Sequence, residues 1–225
     1  MELIDQSLGQ LARRIAGATR VFDAYRFDFC CAGNRSLRSA AAAAGVDVAP
    51  IVEELRALEG RAAADGEHDW ADAGPTELVD HILARYHAVH REQLPELIRL
   101  ARKVEQVHGD RADCPRGLAD HLTAMAQELE NHMCKEETVL FPMIVRGHGA
   151  MAGGPITVMR MEHDEHGEAL RRLESLTRDI TPPPAACTTW RALYAGLRTF
   201  RADLMQHIHT ENNILFERFA PAAVH

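Results

Sequence analysis

Apolar residues recur along the second half of the chain at steps of three and four, the spacing that lines one face of an α-helix. One stripe runs Met125, Leu129, His132, Glu136, Leu140, Met143, and another runs Leu197, Phe200, Leu204, His207, Glu211, Leu215. Two further stripes, Val79, Leu83, His87, Leu94, Leu97 and Ile156, Met159, His163, Leu170, Leu173, have the same period. They predict four long helices: Pro75 to about His108, Pro115 past Pro142 to a close at Gly147 and Gly149, Gly153-Gly154-Pro155 to before Thr181, and Thr188 to Phe219. Pro95 inside the first predicts a kink there, because proline removes a backbone donor. No stretch alternates as a strand would. The expected architecture is all-α, an up-down-up-down four-helix bundle.

Before the bundle, the pattern is broken into shorter pieces. Leu8, Leu11, Ala12 and Ile15 predict a short helix, and Val21, Phe22 and Tyr25 extend its apolar face. Gly33-Asn34 signals a turn, Ser36 is placed to cap an Ala-rich helix from Leu37, and Gly45 to end it. A further helix follows with Ile51, Leu55 and Leu58 on one side. Residues 60–75 are rich in glycine and acidic residues and read as a linker, with Trp70 tacked onto a neighbouring domain. The expected division is a small helical domain over 1–59, the linker, and the bundle over 76–225.

Composition narrows the function classes. The 225 residues are 46% hydrophobic with few aromatics, and 33 acidic against 25 basic residues give a formal charge of −8. That balance predicts no nucleic-acid surface. No run approaches the ~18 apolar residues of a membrane span, and the amino terminus does not read as a secretory signal. Five scattered cysteines, Cys30, Cys31, Cys114, Cys134 and Cys187, suit reduced thiols in the cytoplasm better than a disulfide framework.

The polar residues inside the stripes carry the chemistry. His132 with Glu136, and His207 with Glu211, sit on consecutive turns of otherwise apolar faces, where a carboxylate needs a partner or a metal. His87 and His163 occupy the matching positions of the other two helices. One such histidine alone reads most simply as a hydrogen-bonded core residue; four on successive helices with two carboxylates point to a metal site. Four imidazoles and two carboxylates exceed a closed tetrahedral zinc site and suit two adjacent iron ions bridged by the carboxylates. Cys134 and His209, each two residues past a ligand, are expected to face away, Cys134 as a small packing residue. His90 and His166 are candidates for supporting groups or alternative ligands. His68, His108, His121, His148 and His225 are expected to be solvated, and Glu162 to line an access route or, more simply, to be a surface carboxylate.

The bundle resembles hemerythrin-like domains, and the whole chain resembles the repair-of-iron-centres family of di-iron proteins. The resemblance rests on Asp28-Phe29-Cys30-Cys31-Ala32-Gly33, the run Arg85 to Pro95, His132-Met133-Cys134-Lys135-Glu136-Glu137, Glu162-His163-Asp164-Glu165, the Thr181–Trp190 loop and His207 to Asn213. It implies His87, His132, Glu136, His163, His207 and Glu211 as ligands of two oxo- and carboxylate-bridged iron ions, with Glu136 and Glu211 bridging. It implies repair of iron-sulfur clusters damaged by nitric oxide or oxidants, by supplying iron. Implied partners are proteins with damaged clusters and nitric oxide or oxygen as small ligands; a second copy of the chain, as a homodimer, is a further candidate.

Two other activities suit the same resemblance: a di-iron nitric oxide reductase, and a small-gas sensor or carrier. Gly167 stands four residues past His163, where oxygen-carrying hemerythrin has a second histidine. Its absence opens an iron position and argues against a carrier. The vicinal pair Cys30 and Cys31 cannot easily form an unstrained disulfide with itself. Lying near a helix amino terminus and Arg35, the pair is expected to include a thiol of lowered pKa that relays electrons or iron.

Overall fold

A computed structural model describes residues 2–65, 70 and 72–219. The described chain is helical and contains no strand, only an isolated antiparallel bridge between Ser7 and Ser36. It divides into two compact units, Val79–Leu204, and Met1–Leu78 together with Met205–His225.

The unit Val79–Leu204 holds the four-helix bundle. Its helices are α6 (Ala88–His108), α7 (Leu118–Lys135), α9 (Gly153–Thr177) and the greater part of α10 (Thr188–His209); α5 (Pro75–Ile82) leads into α6, and α8 (Phe141–Val145) continues α7. α7 packs against α6 and α9. α10 closes the ring, touching α6 through His90 edge-on to Phe200 (5.6 Å) and α9 through an Arg201–Glu174 ion pair. Gly196 lets α10 approach closely, since a Cβ there would lie 2.8 Å from Leu97 Cδ2. Asp203, 8% exposed, accepts from Arg85 at 2.6 Å and Gln93 at 2.8 Å, so its buried charge is paired. Trp190 and Tyr194 fill one end, with Arg111 over the Trp190 ring at 5.2 Å. Among the described residues, no helix is long and apolar enough to cross a membrane.

Three turns of these helices are widened to the π form: Leu83–His87, Glu136–Leu140 and Thr210–Leu215. Such turns cluster at functional sites, and each shifts the buried face that follows it. In the second helix the expected stripe therefore ends on Phe141 and Ile144 at 2% and 3% exposure, while Met143 is only half-buried. Pro142 follows that turn, where its missing donor is tolerated. The irregularity expected at Pro95 is found elsewhere. α6 runs unbroken through Pro95, and the widened turn lies before it, at Leu83–His87.

The other unit starts with short helices, α1 (Leu8–Arg14), α2 (Ala18–Ala24) and α3 (Leu37–Ala44), followed by α4 (Val48–Asp65). A capping box starts α1: Ser7 Oγ accepts from the Gln10 amide while Gln10 Oε1 accepts from Ser7, both at 3.2 Å. Ser36 caps α3 and Gly45, at φ 68°, ends it. Leu8, Leu11, Ile15, Phe22, Leu37, Ile51 and Leu55 form the core. α4 continues into the expected linker as far as Asp65. The carbonyls of Trp70 and Ala73 accept from Arg218.

Candidate metal centre

Within the bundle unit, His87, His132, Glu136 and His163 are buried to 1% exposure or less. His87 closes one widened turn and Glu136 opens another. His87 Nε2 lies 3.3 Å from Glu136 Oε2, and His132 Nε2 lies 3.4 Å from Glu136 Oε1. His163 Nε2 stands 3.1 Å from His132 Nε2. The structure thus brings these four residues together: His87 and His132 turn Nε2 to one carboxylate, and His163 Nε2 lies beside His132.

Carboxylates behind the histidines decide which ring nitrogen carries the proton. His87 Nδ1 lies 2.8 Å from Glu137 Oε1, and His132 Nδ1 lies 2.9 Å from Glu162 Oε2. Burial alone would push the Glu137 carboxyl up, but hydrogen bonds from Arg91 and His87 outweigh it and hold the group below the usual carboxylate range. Glu162 follows the same balance, with Lys135 and His132 as donors. Both carboxylates are thus acceptors and each Nδ1 donates, which turns each Nε2 inward. This is the arrangement that orients imidazole for a metal. Arg91 extends it, donating to Glu137 at 2.8 Å and, bidentately, to Glu130 at 2.9 Å.

Glu162 is therefore no ordinary surface carboxylate, and neither Glu137 nor Arg91 was expected to take part. Glu137 follows a ligand carboxylate and Glu162 precedes a ligand histidine, a sequence signal that a stripe-based reading passes over. His166 is buried edge-on against His132, ring centroids 5.0 Å apart, and His90 is buried against Phe200.

In the other unit, the last turn of α10 and the widened turn after it present the second pair. His207 and Glu211 are 1% and 0% exposed, with His207 Nε2 3.2 Å from Glu211 Oε1. Glu211 lies in the third widened turn. His209 does not face solvent: it is 1% exposed, its Nδ1 lies 3.0 Å from Asn213 Nδ2, and its ring meets Phe29 at 5.7 Å. Burial lowers its pKa to about 3, so it is neutral.

Cys30 is buried and Cys31 half-buried, their sulfurs 3.7 Å apart. Asp28 Oδ1 accepts from the amides of Cys31 (3.0 Å) and Ala32 (3.4 Å) and lies 3.4 Å from Cys30 Sγ. Cys30 is not a thiol of lowered pKa. Its hydrogen bond with Cys31, its burial and the nearby Asp28 push it well above the usual thiol range. Cys134 is exposed rather than packed, beside Glu130. Of the histidines expected in solvent, His148 is exposed. His121 is half-buried and donates to the Ala169 carbonyl at 2.8 Å, and His108 packs on Trp190 beside Cys187. His68 and His225 lie outside the described residues.

The hemerythrin HHE cation binding domain matches residues 78–219, and a domain of unknown function, DUF542, matches residues 4–59. Iron-sulfur cluster repair protein YtfE of Yersinia pseudotuberculosis is 50% identical over 218 residues, covering 97% of this chain and 98% of the relative. The YtfE protein of Dickeya chrysanthemi and a probable iron-sulfur cluster repair protein of Haemophilus influenzae match to the same extent. The chain belongs to the iron-sulfur cluster repair protein family. Its hemerythrin-type domain and its buried imidazole and carboxylate donors fit iron, a metal served by such nitrogen and oxygen ligands.

Proposed function

We propose that this protein repairs damaged iron-sulfur clusters by supplying iron from a di-iron centre held by His87, His132, Glu136, His163, His207 and Glu211. One observation carries the reading: the repair proteins align over nearly the whole chain, across both matched domains, and not over a hemerythrin domain alone. A single cation-binding domain spans residues 78–219 and so includes all six donors, which supports one shared centre. Glu136 and Glu211 would supply the carboxylates shared by the two irons in this reading.

When bound, the two irons supply exchangeable, redox-active metal. The chain's own residues set how firmly it is held. Glu137 and Glu162 keep the Nδ1 protons of His87 and His132, which leaves both Nε2 lone pairs for metal. Cys30 and Cys31 relay electrons or iron, and the working division is a small domain over 1–59, a linker over 60–75 and the metal domain over 76–225. The chain acts in the reducing cytoplasm on proteins with damaged clusters.

Adding the iron-loaded protein to an enzyme whose cluster has been destroyed by nitric oxide tests this directly. Activity should return as iron moves to the client, and no recovery with fully loaded protein would overturn the proposal.

A second reading, reduction of nitric oxide to nitrous oxide, is favoured by one feature. Gly167, buried on α9 four residues past His163, contributes no side chain to that position. Anaerobic incubation of reduced protein with nitric oxide should then give nitrous oxide over many turnovers; a stoichiometric complex without turnover would count against it.

A further inference from the structure

The two residues that follow Glu211 are fastened to the cysteine loop. Asn212 Nδ2 donates to the Cys30 carbonyl at 3.1 Å, and Asn213 Nδ2 donates to the Phe29 carbonyl at 3.1 Å. The same Asn213 nitrogen lies 3.0 Å from His209 Nδ1. One amide nitrogen thus spans the Phe29 carbonyl and the His209 ring.

The seat is built for this amide. A Cβ on Gly9 or on Gly33 would each lie 2.5 Å from Asn213 Oδ1, so the side chain fits only because both positions lack one. The two glycines are themselves joined by a 2.8 Å bond from the Gly9 amide to the Gly33 carbonyl. Phe29 covers His209 from the same loop. The segment held in this way, Thr210–Leu215, is the widened turn that carries Glu211. Such turns are rare in helices, so this one depends on the tertiary contacts that hold it.

We propose that Asn212 and Asn213 are positioning residues that join the Cys30–Cys31 loop and the Glu211 turn into one mechanical unit. Chemical change at the thiols then alters the grip on metal at His207 and Glu211, and metal there slows reaction at the thiols. This rests on the reading of Glu211 and His207 as metal ligands. Coupling between two sites is reciprocal in direction, so each effect implies the other.

The test uses the full chain loaded with iron. Two rates are measured, alkylation of Cys30 and Cys31 by iodoacetamide, read by mass spectrometry, and extraction of iron by a ferrous chelator. Asn213→Asp keeps the size of the side chain but removes both donors; Asn212→Ala breaks the other bond. Both variants should raise both rates by about tenfold, within the usual range of coupling. Wild-type protein alkylated at the pair should lose iron faster than unmodified protein, and bound iron should slow alkylation of the pair. Faster alkylation with unchanged iron extraction, or no change in either rate, overturns the proposal.

Hydrogen exchange on the metal-free chain separates this from the iron reading. Asn213→Asp should release residues 29–33 and 207–215 together, and release of only one segment overturns the coupling whatever the metal content. A wild-type chain that takes up no iron would instead remove the ligand reading.

Discussion

Glu137 Oε1 lies 2.8 Å from His87 Nδ1. That contact fixes the proton on the outer nitrogen of a buried imidazole and turns the inner nitrogen toward Glu136. Glu137→Gln keeps the size of the group but weakens this hold, because the amide can present its nitrogen to the ring. Iron affinity should fall about 10- to 100-fold, as for other partners of metal-bound histidines. Competition with a chelator measures it, and the circular dichroism of the metal-free variant should match wild type. Glu162→Gln should behave alike through His132; wild-type affinity in both would remove the role assigned to these carboxylates.

The face assignment of the second helix separates two neighbours. His132→Ala removes an inward imidazole and should lose bound iron. Cys134→Ala alters an exposed side chain two residues on and should retain it. Metal analysis of both purified proteins decides the matter, and equal loss would show the faces to be wrong.

Gly33 is a position where a methyl group has no room. Gly33→Ala sets a Cβ against Asn213 Oδ1 and should destabilise the fold by ~1–3 kcal/mol, the usual range for overpacking. Gly74→Ala meets nothing within 4 Å and should unfold like wild type. Denaturant unfolding of the two side by side gives the comparison.

Trp190 is fully buried between His108, Tyr194 and Arg111. Trp190→Ala should cost about 3–5 kcal/mol, the range for deleting a large core aromatic. His108 lies some 21 residues of helix beyond His87, roughly 30 Å at the α-helical rise. Iron per folded molecule should therefore be unchanged, which calorimetry with metal analysis would show.

Much of this was legible in the sequence because helical periodicity and burial have one cause. Apolar residues at steps of three and four mark the buried face, and a charged residue on that face needs a reason to be there. His87, His132, Glu136 and His163 stand out in this way, and all four are buried. The signal weakened where the helix departed from 3.6 residues per turn. The widened turn at Glu136–Leu140 moved burial from Met143 to Ile144, and nothing in the residue pattern announced it. His209 shows a different limit. Angle alone placed it away from His207, but it could not show that Phe29, some 180 residues earlier, covers that side. Glu137 and Glu162 were missed because their partners lie on other helices, at separations that no local spacing encodes.

The central claim is that six residues hold two coupled irons. Metal analysis together with Mössbauer spectroscopy of the iron-loaded protein tests it most directly. The account predicts about two irons per chain and, in the oxidised protein, a diamagnetic ground state from antiferromagnetic coupling. One magnetically isolated iron per chain, or zinc as the bound metal, would contradict it.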